Sequence, residues 1–248
     1  MDWGTRSGDK VLSYLTRIKK IEAQLERRRR QRSNNADRVR QATRDTYTWV
    51  TQHAKTYNEH WHVEGRLSPY EPFPSREARP DLEDAMAILD SDERILWWEK
   101  SRDMMVSWAC VAYLTLKAMT MPECGVVFQC QKEDKVKQLV KYAKHLYGSQ
   151  EQWLQDAFPL DKPLSQQPEL ALNFLRGGSI VGIPGGADQI RSLHPWGYLN
   201  DESSFQPDSG ECYNEALAAV KGKIIFNSSA GPGWYSDARR DIIRTTED

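Results

Sequence analysis

The sequence predicts an α/β fold, a mostly parallel sheet with helices on both faces, and three observations predict it. Short apolar runs alternate with helical stretches from residue 82 onward, the pattern of a parallel sheet built through helical crossovers. Gly125-Val126-Val127-Phe128-Gln129-Cys130 is apolar along most of its length, as a strand buried on both faces must be. Three runs end in unusual polar residues, and the carboxyl ends of strands are where open α/β sheets bind ligands.

The elements follow in order. Residues 10 to 55 read as helical, with Val11, Leu12, Leu15, Ile18, Ile21 and Leu25 recurring at three- and four-residue spacing. Beyond Leu25 the stripe gives way to charge, read either as a long polar helix or as a partly disordered arm. Gly65, Pro69, Pro72, Pro74 and Pro80 forbid a helix and favour an extended linker or clasp. They place a boundary between an arm over residues 1–64 and a main domain over 65–248. Leu82 to Leu89 is a helix, Arg94 to Trp98 a strand and Ser107 to Met119 a helix. Gly125 to Cys130 is a strand and Asp134 to Tyr147 a helix. Leu172 to Leu175 and Ser179 to Ile183 flank Gly177-Gly178 as a hairpin. Gly197 to Asn200 is a strand, Ser209 to Val220 a helix and Lys223 to Asn227 the last strand.

The chain has 248 residues, enough for one large α/β domain or a domain with an appendage. No stretch approaches the roughly 20 apolar residues of a membrane span, and Met1-Asp2-Trp3-Gly4 carries no signal-peptide pattern. Cys110, Cys124, Cys130 and Cys212 show no Cys-x-x-Cys spacing and read as reduced core residues. His60-Trp61-His62 has no third ligand nearby and reads as a packed or solvated pair. The net charge of −1 hides a basic segment over residues 17–44, with Arg27 to Arg30 unbroken, and an acidic region from Glu71 to Glu99. The average therefore leaves a nucleic-acid partner open.

The polar strand ends carry the chemistry. Lys100-Ser101-Arg102-Asp103-Met104-Met105-Val106-Ser107 follows a strand and opens a helix, the setting of a phosphate-binding loop. Ser107 stands where such a loop places its magnesium-binding hydroxyl. Both usual glycines are missing, and Val106 occupies the usual lysine position. Gly197 to Asn200 runs into Asp201-Glu202, an arrangement in which the Asp holds Mg²⁺ and the Glu polarises water. Lys223 to Asn227 ends in Ser228-Ser229-Ala230, small residues able to sense a γ-phosphate.

Together these segments resemble the large-subunit terminase ATPases of tailed phages and related viruses. Lys100 through Trp108 is similar to a deviant Walker A loop with its lysine at the start. Asp201-Glu202 matches Walker B, and Ser228-Ser229-Ala230 the coupling motif. Gln129 to Asp134 looks like the polar strand end after the first helix, and Ile190-Arg191-Ser192 like an Ile-Arg-Gly segment. The resemblance covers about residues 70 to 240. It implies an α/β P-loop NTPase of the ASCE/RecA-like class, a mostly parallel sheet with helices on both faces, preceded by an N-terminal helical arm. It implies ATP and Mg²⁺ as cofactors. Lys100 to Ser107 would bind ATP, Ser107 and Asp201 the metal, and Glu202 would orient water. Arg102 stays open between an arginine finger, a phosphate ligand and a plain salt bridge. The implied partners are double-stranded DNA, a portal protein, a small terminase subunit and copies of the chain in a ring, in the host cytoplasm and without a membrane. Two departures stand out. Met105 replaces the usual glycine, where a side chain at positive φ is costly, and Ser192 replaces the glycine after Arg191. A nuclease domain has no room after Asp248, so nuclease activity is not expected of this chain. Tyr70 and Phe73 are candidates to stack on a base or to pack the clasp. The rival readings are another P-loop translocase or helicase, and a non-enzymatic DNA-binding assembly protein built on the basic arm.

Overall fold

A computed structural model describes residues 22–27, 31, 33–58, 61–101 and 104–247, except the side chains of 242–247. Two compact units divide between Ala42 and Thr43, upstream of the boundary expected near residue 64. In the first unit the described residues from 33 to 42 are helical and mostly exposed. Arg28 to Arg30, Arg32 and the stripe from Val11 to Ile21 lie outside the described residues.

The second unit begins at a helix end. Helix α1 (Thr46–His53) is capped by Asp45, whose Oδ1 accepts the Thr48 amide at 2.6 Å, satisfying an orphan donor of the first turn. Trp49 is fully buried and donates its Nε1 to Gln150 Oε1 at 3.1 Å. Strand β1 (Lys55–Tyr57) pairs antiparallel with β2 (Tyr70–Pro72). The proline-rich stretch is thus a clasp anchored by a short ribbon, and residues 46–57 belong to the main unit because they pack into it.

Helix α2 (Pro80–Asp90) starts with Pro80 in its first turn, where the missing N–H costs nothing. Strand β3 (Ile95–Lys100) leads to helix α3 (Val106–Thr120), then β4 (Gly125–Cys130) and helix α4 (Glu133–Ser149). Helix α3 is buried nearly all round, as a helix at the centre of a domain must be. Helix α4 buries Val136, Leu139, Val140, Ala143, Leu146 and Tyr147, one face at three- and four-residue spacing. A short helix α5 (Gln152–Ala157) precedes β5 (Ala171–Asn173) and β6 (Ser179–Pro184). These two strands form the expected hairpin, with Gly177 at φ +84° in its turn. Helix α6 (Asp188–Leu193), β7 (Gly197–Asp201), helix α7 (Ser209–Ala219), β8 (Ile224–Ser229) and helix α8 (Trp234–Glu247) complete the unit.

The main sheet has six strands in the order β3-β8-β7-β4-β6-β5. All neighbours are parallel except the β5–β6 pair. Helices α3 and α4 pack on one face. On the other, Val127, Tyr198, Ile224 and Phe226 form a core with residues of α6, α7 and α8, including Ile190, Cys212 and Tyr235. Period-2 alternation along a strand then settles the site. Tyr198, Ile224 and Phe226 face the α6–α8 layer, so Asp201 on β7 and Asn227 on β8 take positions that bring them to Ser107 at the start of α3. Among the described residues no helix is long and apolar enough to cross a membrane. All four cysteines are free and buried.

Candidate functional site

The site forms where β3, β8 and β7 end side by side. Lys100 is in register with Ser229, and Asn227 with Asp201. Strand β8 thus lies between the strand that feeds the loop and the strand that carries the carboxylates.

The loop after β3 turns into α3 through Met105, which sits in the left-handed region at φ 56°, ψ 13°. The glycine conformation is therefore present without the glycine. A non-glycine residue there costs about 1–2 kcal/mol and persists only where its surroundings over-determine it. One brace is Arg79, whose Nη2 donates to the Met104 carbonyl at 3.1 Å while its guanidinium grips Asp81 at 2.7 and 3.0 Å. The Met105 carbonyl in turn accepts the Ala109 amide at 3.0 Å. Glu202 is the second left-handed residue of the site, at φ 56°, ψ 46°, and it starts a tight turn over Ser203–Phe205.

Two linked sets of contacts follow. Ser107 Oγ donates to Asp201 Oδ1 at 3.0 Å, and Asn227 Nδ2 donates both to that oxygen and, at 3.1 Å, to Ser107 Oγ. Lys100 Nζ donates to Glu202 Oε1 at 2.8 Å. Ser229 holds the same carboxylate through its amide at 3.1 Å and its hydroxyl at 3.2 Å. Burial pushes the Asp201 carboxyl above the ordinary range, and neighbouring Glu202 adds to the push, against the pull of Lys100 and two hydrogen bonds. At Glu202 burial acts the same way but is outweighed by Lys100 and Ser229, and the carboxyl falls below its usual value. One lysine thus serves two adjacent carboxylates and pairs directly with the second.

Beneath this, on the opposite side of β7, lies a buried polar network. Tyr198 donates its hydroxyl to Gln129, and Asn200 Nδ2 donates to Tyr198 Oη at 2.8 Å. Gln206 Nε2 donates to Asn200 Oδ1 at 2.6 Å and to the Asp201 carbonyl at 2.8 Å. Gln206 Oε1 is buried there without a partner among the described residues, so the network ties the backbone that presents Asp201 and Glu202 through the Gln206 nitrogen.

Two clefts meet at the loop. One of about 870 Å³ is lined by Lys100, Ser107, Lys132, Asp201, Glu202 and Ser229, among others. The other, about 500 Å³, lies against the clasp and is lined by Asn58, Glu71, Met105, Trp108 and neighbours. Lys100, Ser107 and Tyr142 border both. The two clefts therefore meet at the end of β3 and the start of α3. Among the described residues no three His, Cys, Asp or Glu side chains are placed to hold a metal. The oxygen donors Ser107 and Asp201 suit Mg²⁺, which takes one or two protein ligands and completes its shell with water and phosphate.

The structure brings together Lys100, Ser107, Asp201, Glu202 and Ser229, and Ser101, Met104, Met105, Val106 and Ala230 line the clefts. Ser228 points elsewhere: its Oγ accepts the Ser204 amide at 3.0 Å and donates to the Ser229 carbonyl at 2.8 Å. Arg102, Asp103 and His60 lie outside the described residues. Ile190-Arg191-Ser192 falls on helix α6, where Ile190 is core and Arg191 pairs with Glu215 of α7. Phe73 is buried edge-on against Trp108 at 6.2 Å, and Tyr70 stacks on His145 at 4.8 Å, so both pack the clasp. The sequence reading gave no role to Asn227, Arg79 or Tyr142. Asn227 follows the apolar run Ile224 to Phe226 and precedes two serines, and its role depends on which strand lies beside β8.

The raised Asp201 carboxyl carries a prediction. Because its folded-state pKa is raised, the carboxyl costs stability as the pH rises through its ordinary unfolded value, and the cost is complete above the folded-state value. Asp201→Asn keeps an acceptor for Ser107 and Asn227 and removes the buried charge. The variant is expected to melt at a temperature higher by on the order of a few degrees at pH 7. A scanning calorimetry trace at or below that of the parent chain would remove this account of the carboxyl.

No family model matches the chain, and no curated protein matches it. Solved structures do. The HK97 bacteriophage large terminase aligns with a TM-score of 0.57 at 11% identity, over 83% of this chain and 42% of that one. The large terminase ATPase domain of Thermus phage P74-26 aligns with a TM-score of 0.45 at 12% identity, over 74% and 73% of the two chains. The large terminase of a thermophilic bacteriophage, in complex with ADP, aligns with a TM-score of 0.40 at 15% identity, over 56% and 34%. The chain spans less than half of the HK97 protein, and over that span it has the fold of a phage large terminase, a six-stranded, mostly parallel sheet flanked by helices.

Proposed function

We propose that this chain is the ATP-hydrolysing motor of a viral DNA-packaging terminase, coupling hydrolysis to the translocation of double-stranded DNA. The observation that carries the reading is the meeting of Lys100, Ser107, Asp201, Glu202 and Ser229 at three adjacent strand ends beside a cleft large enough for a triphosphate. A DNA-binding assembly protein gives no reason for two carboxylates, a lysine and a magnesium-type hydroxyl to converge there.

Ser107 and Asp201 would hold Mg²⁺, which neutralises phosphate charge when bound. Lys100 supplies the loop's one ammonium. Its present partner is Glu202, so engaging the β- and γ-phosphates requires it to exchange a carboxylate for a phosphate. That exchange frees Glu202 to accept a proton from water positioned for in-line attack. Ser229, which grips the same carboxylate by amide and hydroxyl, feels the change directly. The state of the catalytic glutamate is thereby communicated to β8 and onward to α8.

The test is ATP hydrolysis by the purified chain with Mg²⁺ and with EDTA. Turnover that needs the metal supports the reading, and its absence in the presence of DNA and partner proteins would overturn it.

The partners proposed are double-stranded DNA, a portal, a small terminase subunit and further copies of the chain. Arg27, Arg38, Arg40 and Arg44 belong to the basic segment that would approach DNA phosphates, and such binding weakens steeply with salt. Removal of residues 1–42 is expected to leave basal ATPase activity within about twofold and to reduce its stimulation by DNA. The cut falls at Ala42 because α1 and β1 belong to the main unit, and a deletion through residue 60 would take away fully buried Trp49. ATPase rates against DNA concentration at two salt levels check this; equal stimulation of both chains would leave the arm without a role in DNA response.

A further inference from the structure

We infer that Asn227 is a positioning residue that sets Ser107 and Asp201 for a divalent cation; this rests on the proposed reading of the cleft. Asn227 lies on β8 with no exposed surface. Burying an amide costs free energy unless its bonds repay it, and the strand positions before it are filled by buried Ile224, Ile225 and Phe226. Its Nδ2 spends its donors on Asp201 Oδ1 and on Ser107 Oγ at 3.1 Å. Its Oδ1 is buried without a partner among the described residues. The carboxamide is therefore held there for its nitrogen.

The hydroxyl's capacity shows what this does. A serine hydroxyl has one proton and two lone pairs. Ser107 gives its proton to Asp201 and accepts the Asn227 N–H on one lone pair. One lone pair remains, and the two bonds fix its direction. Ser107 and Asn227 both engage Oδ1 of Asp201, which keeps Oδ2 for the water shell of a cation. Asp201 and Asn227 are register partners on adjacent parallel strands, so the backbone itself holds the donor against the carboxylate. Residues that orient metal ligands in this way typically change metal affinity 10–100-fold when lost.

The experiment measures binding of a fluorescent ADP to the full chain, in EDTA and across a Mg²⁺ titration, for the parent and Asn227→Ala. The Mg²⁺ concentration at half-effect is expected to rise about tenfold or more, while metal-free affinity changes less than about threefold. Equal metal dependence in both chains overturns the inference and leaves the nucleotide site standing. An equal loss with and without metal also overturns it, because the role is then general packing. ADP binding by the parent that is indifferent to Mg²⁺ overturns the inference alone, whereas no ADP binding with or without metal removes the nucleotide reading and the inference with it. If Asn227→Ala does not fold, the side-chain amide signals of Asn227 in the parent decide by nuclear magnetic resonance. They must shift when Mg²⁺ is added to the ADP-bound chain, and unmoved signals overturn the assignment.

Discussion

Replacing Lys100 by alanine is expected to lower ATP turnover by at least about 10²-fold, the scale on which removal of one preorganised charge-stabilising group acts. From Lys100 to Ser107 the sequence holds no other lysine, and Val106 stands where a phosphate-binding loop usually keeps one. Lys100 ends the edge strand β3, its side chain only 10% exposed, with Nζ 2.8 Å from Glu202. Its loss therefore acts twice. On the proposed reading the phosphates lose their ammonium, and Glu202 loses the partner that contributes most to holding its carboxyl low. Lys100→Arg keeps the charge but exchanges a compact ammonium for a planar fork, and is expected to recover only part of the rate. Turnover of Lys100→Ala near that of the parent would show that the triphosphate is held by another cation and would sink the assignment of this loop. Measuring Lys100→Ala with Glu202→Gln as a double-mutant cycle separates the two effects, because residues in direct contact do not add.

The sheet was legible because its strands are apolar runs bounded by turn residues. Gly125 to Cys130 was read with its observed limits, since Val126, Val127 and Phe128 are buried. The antiparallel hairpin announced itself through Gly177-Gly178. The ribbon of β1 and β2 was not legible, because prolines in the clasp argue against regular pairing and each strand has only three residues. Helices α5 and α6 are six residues each, too short for a hydrophobic period to register. The expected boundary near residue 64 fell at the densest prolines, whereas packing of Trp49 draws α1 into the main unit. At the site, Lys100, Ser107, Asp201, Glu202 and Ser229 could be found one at a time, as polar residues at strand ends. Asn227 could not, because its meaning depends on which strand lies next to β8, and adjacency of β7 and β8 is a property of the sheet order. Strain at Met105 was readable as a risk, and its resolution through Arg79 required the fold.

Glu202→Gln is expected to bind ATP about as well as the parent and to hydrolyse it roughly 10²–10⁴-fold more slowly, the range that general-base catalysis supplies. Glutamine preserves shape and one carbonyl acceptor. It can still receive Lys100 Nζ and the Ser229 hydroxyl, both of which meet Oε1, and lose only the contact in which the Ser229 amide meets Oε2. Binding should therefore survive, helped by a lysine no longer held by a full negative charge. Hydrolysis should not, because an amide neither takes a proton nor strongly polarises water. The position is also strained, at φ 56° in a non-glycine residue, so the side chain is aimed by its backbone and cannot be replaced by a neighbour a turn away. Asp201, the adjacent carboxylate, is tied to Ser107 and Asn227 and is unable to substitute as base while so held. On the proposed reading, in which Ser229 senses this carboxylate, the variant should accumulate the ATP-bound state and respond to DNA as that state does. Rapid-quench hydrolysis and fluorescent-nucleotide binding, run on the same preparation, check both halves. Parent-like hydrolysis would place the base elsewhere, and loss of binding together with hydrolysis would make Glu202 a structural partner of Lys100.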